Sequence, residues 1–307
     1  MTHPAFLPHY DAIVVGARCA GAATAMLLAR QGAKVLLIDR DRAGTDTMST
    51  HALMRGAVMQ LADWGTLDRI IGAGTPAIRK TSFIYGPESI DLDIKPSHGV
   101  DALYAPRRTV LDGALLADAE AAGAEVRHGV ALASLVFGAD GRVTGAVLHG
   151  PDGQPRTVSC DLLIGADGRR SSVARMTGSA VRQQSRHAST CIYSYFEGIA
   201  DRGNRWYYAE RFAAGVIPTN DGRSCVFVSM PPDRFRSEMR GRLDDGLIGS
   251  AAQAFPALGA ELAAARPAQR AIGFAGQNGH LRKSAGNGWA LVGDAGYFKD
   301  PLTAHGI

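Results

Sequence analysis

Three short stretches of this chain carry residue types that can grip a phosphate or a ribose. The first is Gly16-Ala17-Arg18-Cys19-Ala20-Gly21, which follows an apolar run and precedes an Ala/Leu-rich stretch that reads as a helix. Gly16 permits a sharp turn out of a strand, and Gly21 lets helix and sheet approach closely. The helix start offers free N–H groups and a partial positive charge to a pyrophosphate. Asp39 closes the next apolar run, 35–38, where a carboxylate can accept from the hydroxyls of an adenosine ribose. Together these features point to a bound dinucleotide. Arg18 stands where the full fingerprint has its second glycine, and its guanidinium either lies beside the phosphates or points to solvent. The second stretch runs from an apolar strand into Gly165-Ala166-Asp167-Gly168, with Ser171 and Ser172 as candidate helix caps. Taken alone it reads as a turn in which Asp167 accepts backbone N–H bonds. The third stretch, Trp289-Ala-Leu-Val-Gly293-Asp294-Ala295, presents Asp294 at the carboxyl end of a buried strand, where open α/β sheets bind ligands. Helix capping is the competing role there. Pro301 and His305-Gly306-Ile307 follow.

The elements that must position these residues are legible in the hydrophobic pattern. Strand, glycine turn, helix and strand within the first forty residues make a βαβ unit. Apolar residues recur at helical spacing over 53–65, with Gly65 as a stop, and again over 109–122. Residues 79–94 read as two strands around Gly86-Pro87, 124–128 as another strand, and a hairpin turns at 138–141. Over 186–229 the βα alternation gives way to aromatic and β-branched pieces, as in an antiparallel sheet. Helical segments fill about 233–265, and strands return at 268–275 and 288–292. The predicted fold is α/β: a Rossmann-like FAD/NAD(P)-binding domain assembled discontinuously from 1–80, 99–181 and 268–307. A β-rich substrate domain, 81–98 plus 182–267, is inserted into it.

Composition narrows the class. With 46% apolar and 20% charged residues, the 307-residue chain is globular rather than disordered. No stretch approaches the roughly 18 uninterrupted apolar residues of a membrane span, and the start carries no secretion signal. Cys19, Cys160, Cys191 and Cys225 form no CxxC pair, which argues against structural zinc or a disulfide framework and for a reducing, cytoplasmic setting. No metal-ligating or Ser/His/Asp constellation stands out. The net charge of +4 is spread along the chain, favouring an anionic small-molecule partner over a nucleic-acid face.

In order and context, the three motifs resemble those of FAD-dependent monooxygenases of the aromatic-hydroxylase type (group A flavoprotein monooxygenases) and the related geranylgeranyl-reductase and halogenase branches. The resemblance extends over nearly the whole chain, and the opening Gly-Ala-Arg-Cys-Ala-Gly is one variant within that superfamily. It implies that Gly16 to Gly21 holds the FAD pyrophosphate and Asp39 the adenosine ribose. Asp167 would lie near the pyrophosphate, and Gly293 and Asp294 at the ribityl and pyrophosphate region. Pro301 and Gly306 would approach the flavin ring. Arg108, in Arg108-x-x-Leu111-x-x-x-Leu115, would reach the cofactor through charge complementarity to the pyrophosphate. Arg55 has a similar reading beside a plain surface one. Arg40 and Val130 complete the implied cofactor-contact set. His51, in the loop after the second strand, is either structural or a proton donor or substrate contact near the isoalloxazine.

The implied reaction is that of an NAD(P)H-dependent monooxygenase: NAD(P)H reduces FAD, and reduced flavin and O2 give a C4a-hydroperoxide that hydroxylates a small apolar or aromatic molecule. With one complete nucleotide fingerprint present, the nicotinamide visits rather than owns a domain. Trp206, Tyr207, Tyr208, Phe212 and Phe227 read either as core or as the walls of an aromatic pocket. Two alternatives stand: an FAD-dependent reductase of isoprenoid double bonds, or a flavin-binding truncated protein without turnover. A halogenase fits less well, because Trp206 and Ile217-Pro218 are not spaced like that branch's Trp-x-Trp-x-Ile-Pro signature. Relatives of this type continue beyond the position of Ile307 into a helix facing the flavin, so the expectation is weaker FAD retention and an exposed apolar patch.

Overall fold

Runs that are apolar on both faces belong in the interior of a parallel sheet, and the opening strand is one of them. In the computed structural model, which describes residues 6–301 and 306–307, Ile13 and Val14 of strand His9–Val15 are fully buried. That strand runs parallel to Val35–Asp39 on one side and to Pro155–Gly165 on the other. Glu125–His128 extends the sheet beyond Val35–Asp39, and Trp289–Leu291 pairs in parallel with Pro155–Gly165. Ala131–Phe137, Val143–His149 and Ala285–Gly286 complete eight strands by antiparallel pairing. Helices Cys19–Arg30 and Arg108–Ala121 pack against each other, and their Ala22, Ala25, Met26, Leu111 and Leu115 bury against the sheet.

The register of this sheet brings the three motifs together. Val15 lies opposite Gly165, and Gly165 lies opposite Leu291. The three strands therefore end side by side, and the chain leaves them at Gly16, Ala166 and Val292. Backbone bonds carry the alignment one residue further, from Ala166 N–H to the Val15 carbonyl at 2.8 Å and from Val292 N–H to the Gly165 carbonyl at 2.9 Å. Residues more than a hundred positions apart thus share one sheet edge.

A second eight-stranded sheet contains Arg266–Pro267, Thr190–Glu197, Ser224–Met230, Phe212–Pro218, Asn204–Ala209, Lys80–Tyr85 and Glu88–Asp93 in that order, with Ile272–Phe274 also on Thr190–Glu197. It shares no strand with the first. It is antiparallel throughout except where Asn204–Ala209 runs parallel to Lys80–Tyr85, an exception the expected all-antiparallel sheet does not include. Helices Leu243–Ala254 and Pro256–Ala264 cover one face through Leu247, Leu258 and Leu262, while the other face packs Cys191, Tyr193 and Tyr195 with Ala52, Ile78 and Leu103 of the first unit.

Two further features were not expected. Leu67–Gly72 is a short helix after the Gly65 stop. Val181–Gln184, His280–Arg282 and Tyr297–Phe298 form a small third sheet, so the anticipated boundary at 181/182 falls inside a strand. Strands of two to four residues have too little periodicity to be read from sequence. No helix among the described residues is long and apolar enough to cross a membrane.

Candidate functional site

The first turn is built by close approach. Gly16 has φ +104°, and a Cβ there would lie 2.5 Å from the Ala166 carbonyl oxygen. A Cβ on Gly21 would come within 1.7 Å of the Gly16 oxygen. Helix Cys19–Arg30 therefore starts pressed against the strand edge, with no side-chain cap and no acid in its first turn. Its N–H end is left for an anion. The third motif closes on the same turn, since a Cβ on Gly293 would lie 2.9 Å from the Ala20 methyl.

One cleft opens beside this turn, lined by Ala17, Arg18, Asp39, Asp41, Thr109, Asp112, Gly113 and His128 among others. Asp39 accepts from Ala17 N–H and Asp41 N–H, both at 2.8 Å, which fixes its carboxylate at the mouth of the turn. Arg18 follows neither of its two sequence readings simply. Its guanidinium lies 3.2 Å from Asp41 and 3.6 Å from Asp112, held between acids at the cleft wall. Asp112 is the residue that sequence reasoning missed. Its carboxylate accepts three bonds from Arg108, at 3.0, 3.1 and 3.3 Å, and one from the Cys19 thiol at 3.0 Å. Burial pushes the Cys19 thiol pKa far up, so it donates as a neutral group. The i,i+4 spacing of Arg108 and Asp112 on one helix was the available signal.

A second cleft of about 160 Å³ is lined by Arg108, whose partner Asp112 lines the first. Met48 to Ala52, Arg108, Asp294, Pro301 and Gly306 line it, facing Arg169, Cys191, Tyr193, Phe274, Phe298 and Lys299. Asp294 is half-buried; burial raises its pKa from the ordinary carboxylate value, and the nearby Arg169 and Arg108 oppose that rise. Among the described residues no hydrogen bond or ion pair holds its carboxylate, which leaves it open to a ligand.

Several anticipated contacts line neither cleft. Asp167 accepts from Ser171 Oγ at 2.5 Å, Ser172 N–H at 2.6 Å and Val173 N–H at 3.2 Å, so it caps the following helix. Arg55 donates to the carbonyls of Lys95 and Val100, which anchor it to the 95–100 loop. The Arg40 side chain is 80% exposed. Val130 is buried in the core beneath, donating its N–H to the Asp39 carbonyl at 2.9 Å. His305 lies outside the described residues.

With the geometry in place, comparison with known proteins is decisive. Residues 9–307 match the FAD binding domain family. The chain belongs to that family.

This FAD-binding oxidoreductase is 28% identical over 306 residues to a digeranylgeranylglycerophospholipid reductase of Methanosarcina acetivorans, covering 97% of this chain and 71% of that one. It is 29% identical over 235 residues to the protein FixC of Salmonella typhi, covering 73% and 50% of the two chains. Among solved structures, the flavin-dependent brominase Bmp2 superposes with a TM-score of 0.85 at 19% identity, over 97% of this chain and 75% of that one. PqsL of Pseudomonas aeruginosa, described as a probable FAD-dependent monooxygenase, gives 0.78 at 19%, over 97% and 82%. At such identities these two establish a shared fold. The fit to FAD rests on this chain's own features: a glycine cradle that any Cβ would fill, an uncapped helix start, and an unpartnered carboxylate across from it.

In this FAD-binding chain His51 is a buried, neutral group. Its Nδ1 lies 3.1 Å from the Ala105 carbonyl, which can only accept, so Nδ1 carries the proton. Nε2 then accepts from the Tyr195 hydroxyl at 2.8 Å. Burial, then the Arg107 guanidinium, lowers its pKa to about 3. Both nitrogens are committed within the protein, and at neutral pH the ring has no acidic proton to deliver, which counts against the proton-donor reading. His51 is 1% exposed, and the unfolded chain takes up a proton that the folded one refuses. Its contribution to stability is therefore complete above pH 6.5 and erodes as pH falls toward 3, by about 1.4 kcal/mol per unit. A His51→Gln variant can keep both hydrogen bonds without titrating. Denaturant titrations at pH 6.5 and pH 5 should show the natural chain losing about 2 kcal/mol more than the variant.

The pocket walls come from a different strand than the aromatic residues first singled out. Thr190–Glu197 turns alternate residues Cys191, Tyr193 and Tyr195 toward the first unit, and Cys191 and Tyr193 line the second cleft. Trp206 and Phe227 pack in the core behind them, while Tyr207 and Phe212 lie on the opposite face beneath the helices. None of these four lines the cleft, and neither does Tyr208.

Proposed function

We propose that this protein is an NAD(P)H-dependent monooxygenase that hydroxylates a small apolar or aromatic molecule. The observation that carries the reading is the make-up of the second cleft, in which Asp294 just past strand Trp289–Leu291 and Arg108 at the start of helix Arg108–Ala121 share a lining with Cys191, Tyr193, Phe274 and Phe298. In this reading Ala17 to Gly21 and the helix start hold the FAD pyrophosphate, Asp39 the adenosine ribose, and Asp294 the ribityl chain. Arg108 neutralises phosphate charge. Met48 to Ala52, Pro301 and Gly306 border the flavin ring. In this reading 1–80, 99–181 and 268–307 form the unit that holds FAD and 81–98 with 182–267 the unit that roofs the substrate, apart from Lys80 and Ile272–Phe274, which pair in the second sheet, and strand Val181–Gln184, which runs across the boundary.

When bound, FAD supplies the redox chemistry, taking electrons from the nicotinamide and delivering them to O2. The chain's residues orient and exclude water. Tyr193 accepts from Ser49 N–H at 3.2 Å, which pins the 48–52 loop against the substrate-side sheet. Arg107 lies 4.0 Å over the Tyr195 ring and pairs with Asp46 at 2.8 Å, which ties the loop before Met48 to the second sheet. The balance is substrate C–H, O2, NAD(P)H and a proton going to C–OH, NAD(P)+ and water.

A second reading, a reductase of isoprenoid double bonds, is favoured by the similarity to digeranylgeranylglycerophospholipid reductase. Isotope labelling separates the two. Under 18O2, with NADH or NADPH and a panel of small aromatic compounds, the monooxygenase reading predicts one labelled oxygen per product. Oxygen-independent saturation of an isoprenoid alkene, with no label incorporated, would overturn it.

A further inference from the structure

The positive charge that reads as spread along the sequence is gathered by the fold. Residues 169–187 and 280–300 hold eight Lys and Arg against two acids, an excess of six in a chain of net charge +4, so the remainder is net acidic. These two segments supply all three strands of the small third sheet, Val181–Gln184, His280–Arg282 and Tyr297–Phe298. Neither acid answers the charge on its surface. Asp294 lies in the second cleft, where Arg169 and Arg108 act on it, and Asp300 accepts from the backbone N–H and the hydroxyl of Ser189. Arg175, Arg182, Arg186, Lys283 and Lys299 are exposed, and none of these five makes an ion pair among the described residues.

The same sheet exposes an apolar row. Leu281 lies opposite Tyr297 on one neighbouring strand and Gln183 on the other, and Val181 is two residues from Gln183. Strand alternation therefore puts all four on one face. Val181 is 45%, Leu281 36% and Tyr297 52% exposed, while His280 and Phe298 on the opposite face are buried. Two lysines border the row. Lys299 Nζ lies 5.3 Å from the centre of the Tyr297 ring, and the Lys283 backbone N–H donates to the Ala180 carbonyl at 2.9 Å, beside Val181. Arg182 lies on the edge strand and Arg186 just beyond it. Phe298 and Lys299 also line the second cleft, so this face adjoins the cleft wall.

We infer that the outer face of the third sheet docks the protein peripherally on a bilayer that carries anionic phospholipid. The row of Val181, Leu281 and Tyr297 enters the interfacial region, where a ring with a polar tip is favoured, and the basic side chains reach around it to the headgroups. Charge selects this occupant over a protein partner. Lysine is depleted at protein–protein interfaces, whereas clustered Lys and Arg beside apolar groups are what an anionic leaflet attracts. No spanning helix is required, and none is present among the described residues. The docking does not depend on the proposed reaction; it sets the second cleft beside apolar molecules held in the bilayer.

The FAD-saturated protein is mixed with vesicles of phosphatidylcholine alone or of phosphatidylcholine with phosphatidylglycerol, at physiological and at high salt, and binding is read by flotation. The anionic vesicles should bind at least about tenfold more tightly than the neutral ones, a preference that falls with salt. Lys283→Gln and Arg182→Gln should each weaken binding to anionic vesicles by roughly fivefold, the effect of one basic residue at such a surface. Lys95→Gln, an equal loss of exposed charge in the β-rich unit, should not. Leu281→Ser and Tyr297→Ser should weaken binding at both salt concentrations. Retained FAD and an unchanged circular dichroism spectrum show that each variant is folded. Equal binding to both vesicle types, no binding to either, or an equal loss with Lys95→Gln overturns the inference. So does binding indifferent to Leu281 and Tyr297, which is charge adsorption without docking, or binding abolished by NADPH, which gives the cations to the nicotinamide phosphates. Concentration-dependent dimerisation that Leu281→Ser removes assigns the face to a second copy and overturns it too. Oxygen incorporation, measured separately, decides the monooxygenase reading whatever the vesicles show.

Discussion

Replacing Gly21 by alanine is expected to lower FAD affinity by at least about 100-fold and to lower the thermal midpoint of the protein. The added methyl would lie 1.7 Å from the Gly16 carbonyl oxygen and 3.1 Å from the Ala166 Cβ. Neither neighbour can retreat cheaply. Gly16 N–H is bonded to the Ile38 carbonyl at 2.8 Å, and Ala166 is tied to Val15 by another 2.8 Å bond. The helix must move instead, withdrawing its N-terminus from the place where the pyrophosphate is proposed to lie. Overpacking ordinarily costs about 1–3 kcal/mol, and a clash with backbone belongs at or above the top of that range. Three kcal/mol corresponds to a little over a hundredfold in affinity, by roughly tenfold per 1.4 kcal/mol. Gly56→Ala is the matched control. That glycine lies inside helix Arg55–Trp64 with nothing within 4 Å of a built Cβ, so alanine there should be neutral or stabilising by up to about 1 kcal/mol. Isothermal titration with FAD and thermal melts of both variants check the pair.

The second large effect is expected at Asp112. Its side chain and that of Arg108 are each 11% exposed, and Arg18 and Cys19 depend on the same carboxylate. Asp112→Ala leaves the Arg108 guanidinium buried without its partner, a change that typically costs about 3–5 kcal/mol. Chemical denaturation of the FAD-free protein should show a loss of that order. Because Arg108 is proposed to face the FAD phosphates, saturating FAD should recover part of the loss, so the variant's deficit should be smaller in the holoprotein. A deficit that is equal with and without FAD would separate Arg108 from the cofactor.

The fold was legible wherever several independent signals agreed. The βαβ opening announces itself through a doubly apolar strand, glycines at both ends of a turn, and a helix that Gly32 stops. The discontinuous second sheet follows from the change to aromatic and β-branched pieces after residue 186. What escaped was set by tertiary contact. For Asp167 the sequence offered a turn role and, by resemblance, a place near the pyrophosphate; three donors at the start of the following helix bond to its carboxylate, as the turn role has it. Arg55 lies at a helix start like Arg108, yet a loop not adjacent in sequence supplies the carbonyls that capture it. Conversely, Tyr193 carries no motif, and only the packing of the second sheet over the first brings it to the cleft, while Arg169 lies inside the second motif stretch without having been given a role. Alternation along Thr190–Glu197 marks Cys191, Tyr193 and Tyr195 as sharing a face, but sequence does not say what that face meets.

The central claim is that the turn at Gly16, the carboxylates of Asp39 and Asp294, and the loop at His51 border a single elongated FAD site. A crystal structure of the protein with FAD tests it most directly. The account predicts the adenosine ribose within hydrogen-bonding distance of Asp39, the pyrophosphate over the start of helix Cys19–Arg30, and the isoalloxazine between the 48–52 loop and Asp294. Adenosine density away from Asp39, or a flavin ring outside the cleft that Asp294 and Tyr193 share, would contradict it.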